Sequence, residues 1–341
     1  MIKRFSSWII VAGLGFFWLA AGASAQQPFY KGKTVRIIVG GSAGGGYDTY
    51  TRTIARHLSK HVPGNPTFLV ENMTGAGSVI AANHVYKVAR PDGLTMCHFI
   101  GGIILQQVLG KPGIEFDARR FLYVGAPAQD TTSVGVTKAS GVTSIEQWLV
   151  AKTPVKFGGI GPGTATDDLA KVLRDILGLP IQLVSGYKGT ADIRLAVQSG
   201  EMQGVVNSWE SFKSTWSKEV ETGAINIILV GTPKRHPEIP NVPAISEFVK
   251  TDEAKKLIQV AVYDYSATAR PYVFPPNTPT DRVQIMRKGL ADTLKDPEFL
   301  ADAKKARLDL NPLAGDELQT AVERTFKLDK PLVAKLKEIL K

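Results

Sequence analysis

Cysteine is nearly absent: Cys97 is the one thiol in 341 residues. That excludes an internal disulfide and any cysteine cage for zinc. Histidine is scarce, with five residues, and aromatics make up only 8%. After residue 25 no apolar run reaches the roughly 20 residues that a membrane-spanning helix needs. No segment completes the phosphate loop G-x-x-x-x-G-K-[ST], and no glycine cluster fits G-x-G-x-x-G. Basic residues come in ones and twos, without the stripe that nucleic acid binding requires. What remains is a globular composition, 44% hydrophobic and 21% charged, long enough for two domains that each bury a core. No metal and no cofactor are expected.

The N-terminus has its own pattern. Lys3 and Arg4 precede an uninterrupted apolar stretch from Trp8 to Ala21, and Ala23-Ser24-Ala25 follows with small residues. This is the pattern of a secretory signal peptide cut after Ala25, and the apolar stretch is shorter than an anchor needs. Without Lys3 and Arg4 the chain carries 39 basic against 31 acidic residues, a net charge of +8. Such a surplus agrees with an anionic ligand without demanding one.

The remainder alternates short apolar runs with amphipathic stretches. Strands are expected at Val35–Val39, Thr67–Val70 and Leu94–Phe99, with helices between them, so the first part is an α/β sheet. The pattern restarts near residue 122, with strands at 122–124, 133–136, 155–157, 181–184, 204–206 and 225–230. The clearest helix carries Leu169, Val172, Leu173, Ile176 and Leu177 at helical spacing, is capped by Thr166 or Asp167, and ends at Gly178 and Pro180. Asp48 or Thr49 is expected to cap the first helix. Three prolines between Pro233 and Pro243 suit an extended connector between lobes. The tail reads as helices from Thr280, from Pro297 and from Asp316, broken at Pro331.

One device recurs. Val35 to Asp48 and Val155 to Asp168 both run strand, glycine-rich loop, helix N-terminus, and Gly75-Ala76-Gly77-Ser78 repeats the arrangement. Glycine allows close approach to backbone amides, and a helix N-terminus offers unpaired N–H groups and partial positive charge. Two such loops facing each other across a cleft would hold a carboxylate or phosphate without a lysine.

Enzyme motifs are weaker. Gly40-Gly41-Ser42-Ala43-Gly44 fits the nucleophile elbow G-x-S-x-G after a strand. Ser42, however, lies too near the mature N-terminus for the strands that precede an elbow, and the last histidine, His236, sits on the proline-rich segment. His57 and His61 share a helix face but lack the glutamate of H-E-x-x-H, and Asp167-Asp168 reads as a helix cap.

The residues Tyr30-Lys31-Gly32-Lys33-Thr34-Val35-Arg36-Ile37-Ile38-Val39, with Gly44-Gly45-Gly46 before Asp48, resemble the opening of the Bug-type receptors. These are the extracytoplasmic solute-binding proteins of tripartite tricarboxylate transporters. The resemblance continues at Glu71-Asn72, Gly75-Ala76-Gly77, Pro91-Asp92-Gly93-Leu94-Thr95, Tyr187-Lys188-Gly189, Gly200-Glu201-Met202-Gln203, Pro240-Asn241-Val242-Pro243 and Pro276-Asn277-Thr278-Pro279. It implies a type II periplasmic-binding-protein fold of two hinged α/β lobes: residues 26–128 in lobe 1, 129–250 in lobe 2, and 251–341 returning to lobe 1 with the C-terminal helices.

The resemblance further implies a periplasmic receptor, monomeric and without catalysis, that binds a small organic carboxylate and hands it to the permease subunits of a membrane transporter. Carried over residue by residue, it assigns carboxylate binding to Ser42, Ala43, Gly44, Gly45, Gly77 and Ser78 from lobe 1. From lobe 2 it assigns Gly161, Gly163, Thr164 and Thr166. Tyr187, Asp192 and Asn207 would face the rest of the ligand, with Tyr47 adding bulk to the first loop. Ser42-Ala43 stand where the family has prolines, and Asp167-Asp168 where it has a histidine. Two other readings share the sequence: a periplasmic sensing subunit using the same trap, and a serine esterase using Ser42.

Overall fold

The computed structural model describes residues 27–341; the expected signal peptide lies outside the described residues. Among the described residues eleven strands form two sheets. β1 (Thr34–Val39), β2 (Thr67–Asn72), β3 (Thr95–His98), β4 (Leu122–Ala126), β10 (Tyr272–Phe274) and β11 (Leu313–Ala314) build the first, in the order β11-β4-β10-β3-β1-β2. β5 (Thr132–Thr137), β6 (Val155–Gly159), β7 (Ile181–Ser185), β8 (Gly204–Ser208) and β9 (Ile225–Val230) build the second, in the order β7-β6-β8-β5-β9.

The strands form where the sequence is β-branched and apolar. In β1, Val35, Ile37, Ile38 and Val39 are buried, while Arg36 turns outward and pairs with Glu71 of β2 at 2.6 Å. β1 runs parallel to both β2 and β3, and β10 enters antiparallel beside β3. The helix Ala165–Leu177 buries Leu169, Ala170, Val172 and Leu173 against the second sheet and stops at Gly178, whose φ of +68° suits glycine.

The chain passes between the sheets at residues 127–131 and again at 269–271. The proline-rich segment is therefore not the connector expected of it. It loops out of the second lobe and returns: Val230 bonds to Pro243, and Ile245 is buried in that lobe's core. Its prolines lack the N–H groups that a crossing strand would donate. The true second crossing follows a helix absent from the sequence reading, Asp252–Ile258 continuing through a π-helical turn, Gln259–Asp264, to Thr268. Nor does the whole C-terminal part return to lobe 1. The last helix, Lys330–Ile339, puts Leu336 and Ile339 into the core of the second lobe, and Lys171 of that lobe donates to Lys341 O at 3.0 Å.

Candidate functional site

The glycine-rich loops of the two lobes meet each other. Gly77, at φ +61°, lies so close to the second lobe that a Cβ there would stand 2.6 Å from Pro162 O and 3.2 Å from Thr164 Cγ2. Only glycine accommodates both that dihedral and that approach. A Cβ on Gly45 would stand 3.2 Å from Thr190 Oγ1, at the start of the helix Thr190–Gln198. Gln106 of lobe 1 donates to Asp168 Oδ2 of lobe 2 at 2.6 Å.

Between the lobes lies a small cavity of about 30 Å³. Its lining comes from Tyr47 and Ile100 of lobe 1, Asp130 of the first crossing, Ile160, Thr164, Ala165, Thr166, Thr190, Val206, Asn207, Ser208 and Ser211 of lobe 2, and Tyr265. A roomier groove, about 580 Å³ between the helix Thr280–Thr293 and β11, belongs to lobe 1 alone. Its cations Arg287 and Lys288 are paired with Asp316 and Asp292.

The helix Ala165–Leu177 points its N-terminus at the interlobe cavity. The amides of Asp167 and Asp168 bond back to Thr164 O. Among the described residues nothing accepts from the N–H groups of Ala165 and Thr166. Two unpaired donors with the positive end of a 13-residue helix behind them favour an anion.

The loop amides before that helix are otherwise engaged. Gly161 N–H donates to Asp167 Oδ2 at 2.8 Å, and Gly163 N–H to Asp168 Oδ2 at 3.0 Å. In lobe 1, Gly44 N–H donates to Asp48 Oδ2 at 2.9 Å. The aspartates expected to cap these helices thus fold back onto the loops; the N-caps are Gly45 and Thr164. Burial works to raise the Asp48 carboxyl, but Arg52, the Gly44 amide and Asn72 outweigh it and hold it below its ordinary range. For Asp168, enclosed on all sides, burial wins over its two donors and pushes the carboxyl up to about 7.

A buried cation stands behind the cavity wall. Arg270, wholly enclosed, forms an ion pair through Nε with Asp130, and Nη2 donates to Ser208 Oγ at 2.9 Å and Ser211 Oγ at 3.0 Å. Its guanidinium centre lies 4.7 Å from the Tyr47 ring centroid and 4.5 Å from that of Tyr50, a sandwich that offsets part of the desolvation cost. Glu210, which accepts from Thr131 N–H at 2.9 Å, is pushed up to about 7 by burial and by the nearby Asp130. Beneath Tyr47, His98 is held neutral by burial and by Arg270, and its Nδ1 lies 2.7 Å from Thr51 Oγ1.

The model of the tripartite tricarboxylate transporter family receptor matches residues 50–337. The chain belongs to that receptor family. The family comprises periplasmic solute-binding receptors rather than enzymes. The receptor is 25% identical over 336 residues to the "UPF0065 protein in gbd 5'region" of Cupriavidus necator, covering 96% of this chain and 95% of that one. It shares the fold of the periplasmic binding protein BugD, with a TM-score of 0.74, 20% identity, and 91% of this chain and 98% of that chain covered. It also shares the fold of the R. palustris protein Rpa4515, solved with adipate, with a TM-score of 0.73, 23% identity, and 90% and 98% covered.

Of the residues singled out from the sequence, Tyr47, Thr164, Thr166 and Asn207 line the receptor's interlobe cavity. Gly45, Gly77 and Gly161 form the contact between lobes around it. Ser78 is built into lobe 1: its hydroxyl donates to Gly40 O at 2.9 Å and accepts from Ile100 N–H at 3.1 Å. Gly44, Gly161 and Gly163 have their amides taken by aspartates, so they do not present free donors as expected. Ser42 and Ala43 belong to the loop facing Gly189, and Ser42 Oγ is buried without a hydrogen-bond partner. Tyr187 donates to Glu201 at 2.7 Å on the surface, and Asp192 lies in the first turn of the helix Thr190–Gln198; neither lines the cavity. His57 and His61 pair with Asp302 and Asp296, and among the described residues no cluster is placed to hold a metal.

Asp130, Ser208, Ser211, Tyr265 and Arg270 were missed. The sequence carried a signal only for the serines, as small hydroxyls just past the end of an expected strand.

Proposed function

We propose that this receptor captures a small organic carboxylate in the interlobe cavity and presents the closed form to the permease subunits of a tripartite transporter. The observation that carries the reading is the pair of unpaired amides, Ala165 and Thr166, aimed with Thr164 into that cavity. A carboxylate there would take two N–H donors at the positive end of a helix, screened from water by the first lobe. The adipate in Rpa4515 supports this ligand class. Lobe closure converts binding into a shape that a membrane partner can read, because the ligand stabilises the closed state by its preference for it.

The same reading makes the protein an exported monomer cut after Ala25. N-terminal sequencing of material from the periplasm should begin at Gln26, and the mature chain should elute as a single copy. The ligand class is tested by melting temperature against mono-, di-, tri- and aromatic carboxylates, with uncharged and cationic controls. A ligand at 100 times its Kd adds about 2.7 kcal/mol. A shift confined to carboxylates supports the proposal; a response only to amines or sugars ends it.

A further inference from the structure

Asp168 and Gln106 meet across the lobes with two oxygens left bare. Asp168 Oδ2 accepts from Gln106 Nε2 at 2.6 Å and from Gly163 N–H at 3.0 Å, whereas Asp168 Oδ1 has no donor. Gln106 Oε1, on the facing amide, has none either. Both side chains are buried. Two enclosed acceptors without a donor mark a missing hydrogen, since buried oxygens are otherwise paired. The space beside Asp168, about 10 Å³, is walled by Gly102 and Leu105 of lobe 1 together with Leu169, Ala261, Tyr265 and Leu340. That is at the lower limit for a single water, so a carboxylate there is not hydrated.

No cation fills the gap. Lys171, on the same helix, and Lys111 of lobe 1 lie near enough to attract the carboxyl. Neither forms an ion pair with it: both donate to Leu340 O, at 3.4 Å and 2.8 Å, and Lys171 also to Lys341 O at 3.0 Å. Asp167, the next residue, accepts from Gly161 N–H and Ser185 and repels a second negative charge. Tyr265 faces the site from the helix before the second crossing, its hydroxyl pushed above its ordinary range by burial and therefore neutral.

Closing the lobes is what encloses Asp168, because lobe 1 supplies Gln106, Gly102 and Leu105. Enclosure raises the carboxyl to about 7; facing water in an open form it returns to the ordinary carboxylate range. A carboxyl whose pKa is higher in the closed form favours closure below that value, and the preference is lost as pH rises through it.

We propose that Asp168 takes a proton from solvent onto Oδ1 as the lobes close, so that the Gln106–Asp168 contact is a proton-linked clasp that tightens the receptor in acidic medium. This rests on the lobe closure proposed above and is independent of the ligand's identity.

The test is fluorescence energy transfer in the ligand-free mature receptor, between dyes on Ile80→Cys of lobe 1 and Leu195→Cys of lobe 2, both exposed positions. The buried Cys97 stays unlabelled. From pH 8 to pH 6 the closing constant should rise about tenfold. Asp168→Asn, which keeps an acceptor for Gln106, should leave the transfer flat over that range. Glu210→Gln, which removes the other acid raised to about 7, should keep the response. A flat profile in the intact receptor, or a response that survives Asp168→Asn, would overturn the clasp. Should Asp168→Asn fail to fold, carboxyl resonances of the receptor labelled with ¹³C-aspartate decide: one aspartate should titrate near pH 7, and none doing so would overturn the clasp. A flat profile beside a carboxylate-specific melting shift ends the clasp alone. A pH response in a receptor whose melting temperature no carboxylate moves ends the ligand reading and leaves the clasp standing.

Discussion

Gln106 and Asp168 join the two lobes through a 2.6 Å hydrogen bond, and the carboxyl that receives it is buried deeply enough to hold its proton up to about pH 7. Glu210, beside Asp130 and accepting from Thr131 N–H, is raised to the same region. Burial thus favours the neutral form of both acids.

This sets the direction of the pH dependence. A carboxyl whose folded pKa lies above its unfolded value stabilises fully below the unfolded pKa, and that contribution is lost as pH rises through the folded pKa. For Asp168 the window runs from its ordinary 3.8 to about 7. The melting temperature should fall between pH 5 and pH 7.5, with Asp168 accounting for on the order of 3 kcal/mol. Asp168→Asn, which keeps an acceptor for Gln106, should flatten most of that slope. A slope unchanged in Asp168→Asn would show that the acid is ionised in the fold.

Gly77 should govern closure, beyond the strain that a side chain at φ +61° adds to the fold. Gly77→Leu places a side chain against Pro162 and Thr164, so carboxylate affinity should fall at least about tenfold, a penalty of roughly 1.4 kcal/mol on closure. Small-angle scattering should show a larger radius for the variant with ligand present. Undiminished affinity would mean that the loops need not touch in the bound form.

Thr51 holds a buried polar node, with its hydroxyl 2.7 Å from His98 Nδ1 and 2.8 Å from Tyr272 Oη. Thr51→Val keeps the volume and strands both partners. Urea unfolding should show a loss of about 1–3 kcal/mol.

Ser42 should have no hydrolytic role, because no histidine approaches its hydroxyl, which has no hydrogen-bond partner at all. The mature protein should release no p-nitrophenol from short-chain esters above the buffer rate, and Ser42→Ala should change nothing in that assay. Turnover lost in Ser42→Ala would restore the esterase reading.

The local devices of this fold are legible in the sequence because they depend on neighbours in the chain. The β-branched run Val35–Val39, the amphipathic spacing of Leu169, Val172 and Leu173, and Gly178 at the helix end each declare themselves within a few residues. So does the strand, glycine loop, helix order that repeats in the two lobes and carries the family resemblance. The aspartates folded onto those loops were within reach too: Asp48 is four residues after Gly44, and Asp168 five after Gly163, close enough for a short carboxyl to turn back on the amide.

What tertiary structure alone decided is which donors stay free and what stands behind them. Nothing beside Arg270 in the sequence marks it as a buried cation. Only the second crossing of the chain brings Arg270 against Asp130, 140 residues away, between Tyr47 and Tyr50 and behind Ser208 and Ser211. Burying a guanidinium demands a partner charge, hydroxyls and ring faces gathered from both lobes and both crossings, and no stretch of sequence contains that set. Sequence alone determined where the glycine loops and helix N-termini stand; the packing of the two lobes determined which of their amides stay unpaired.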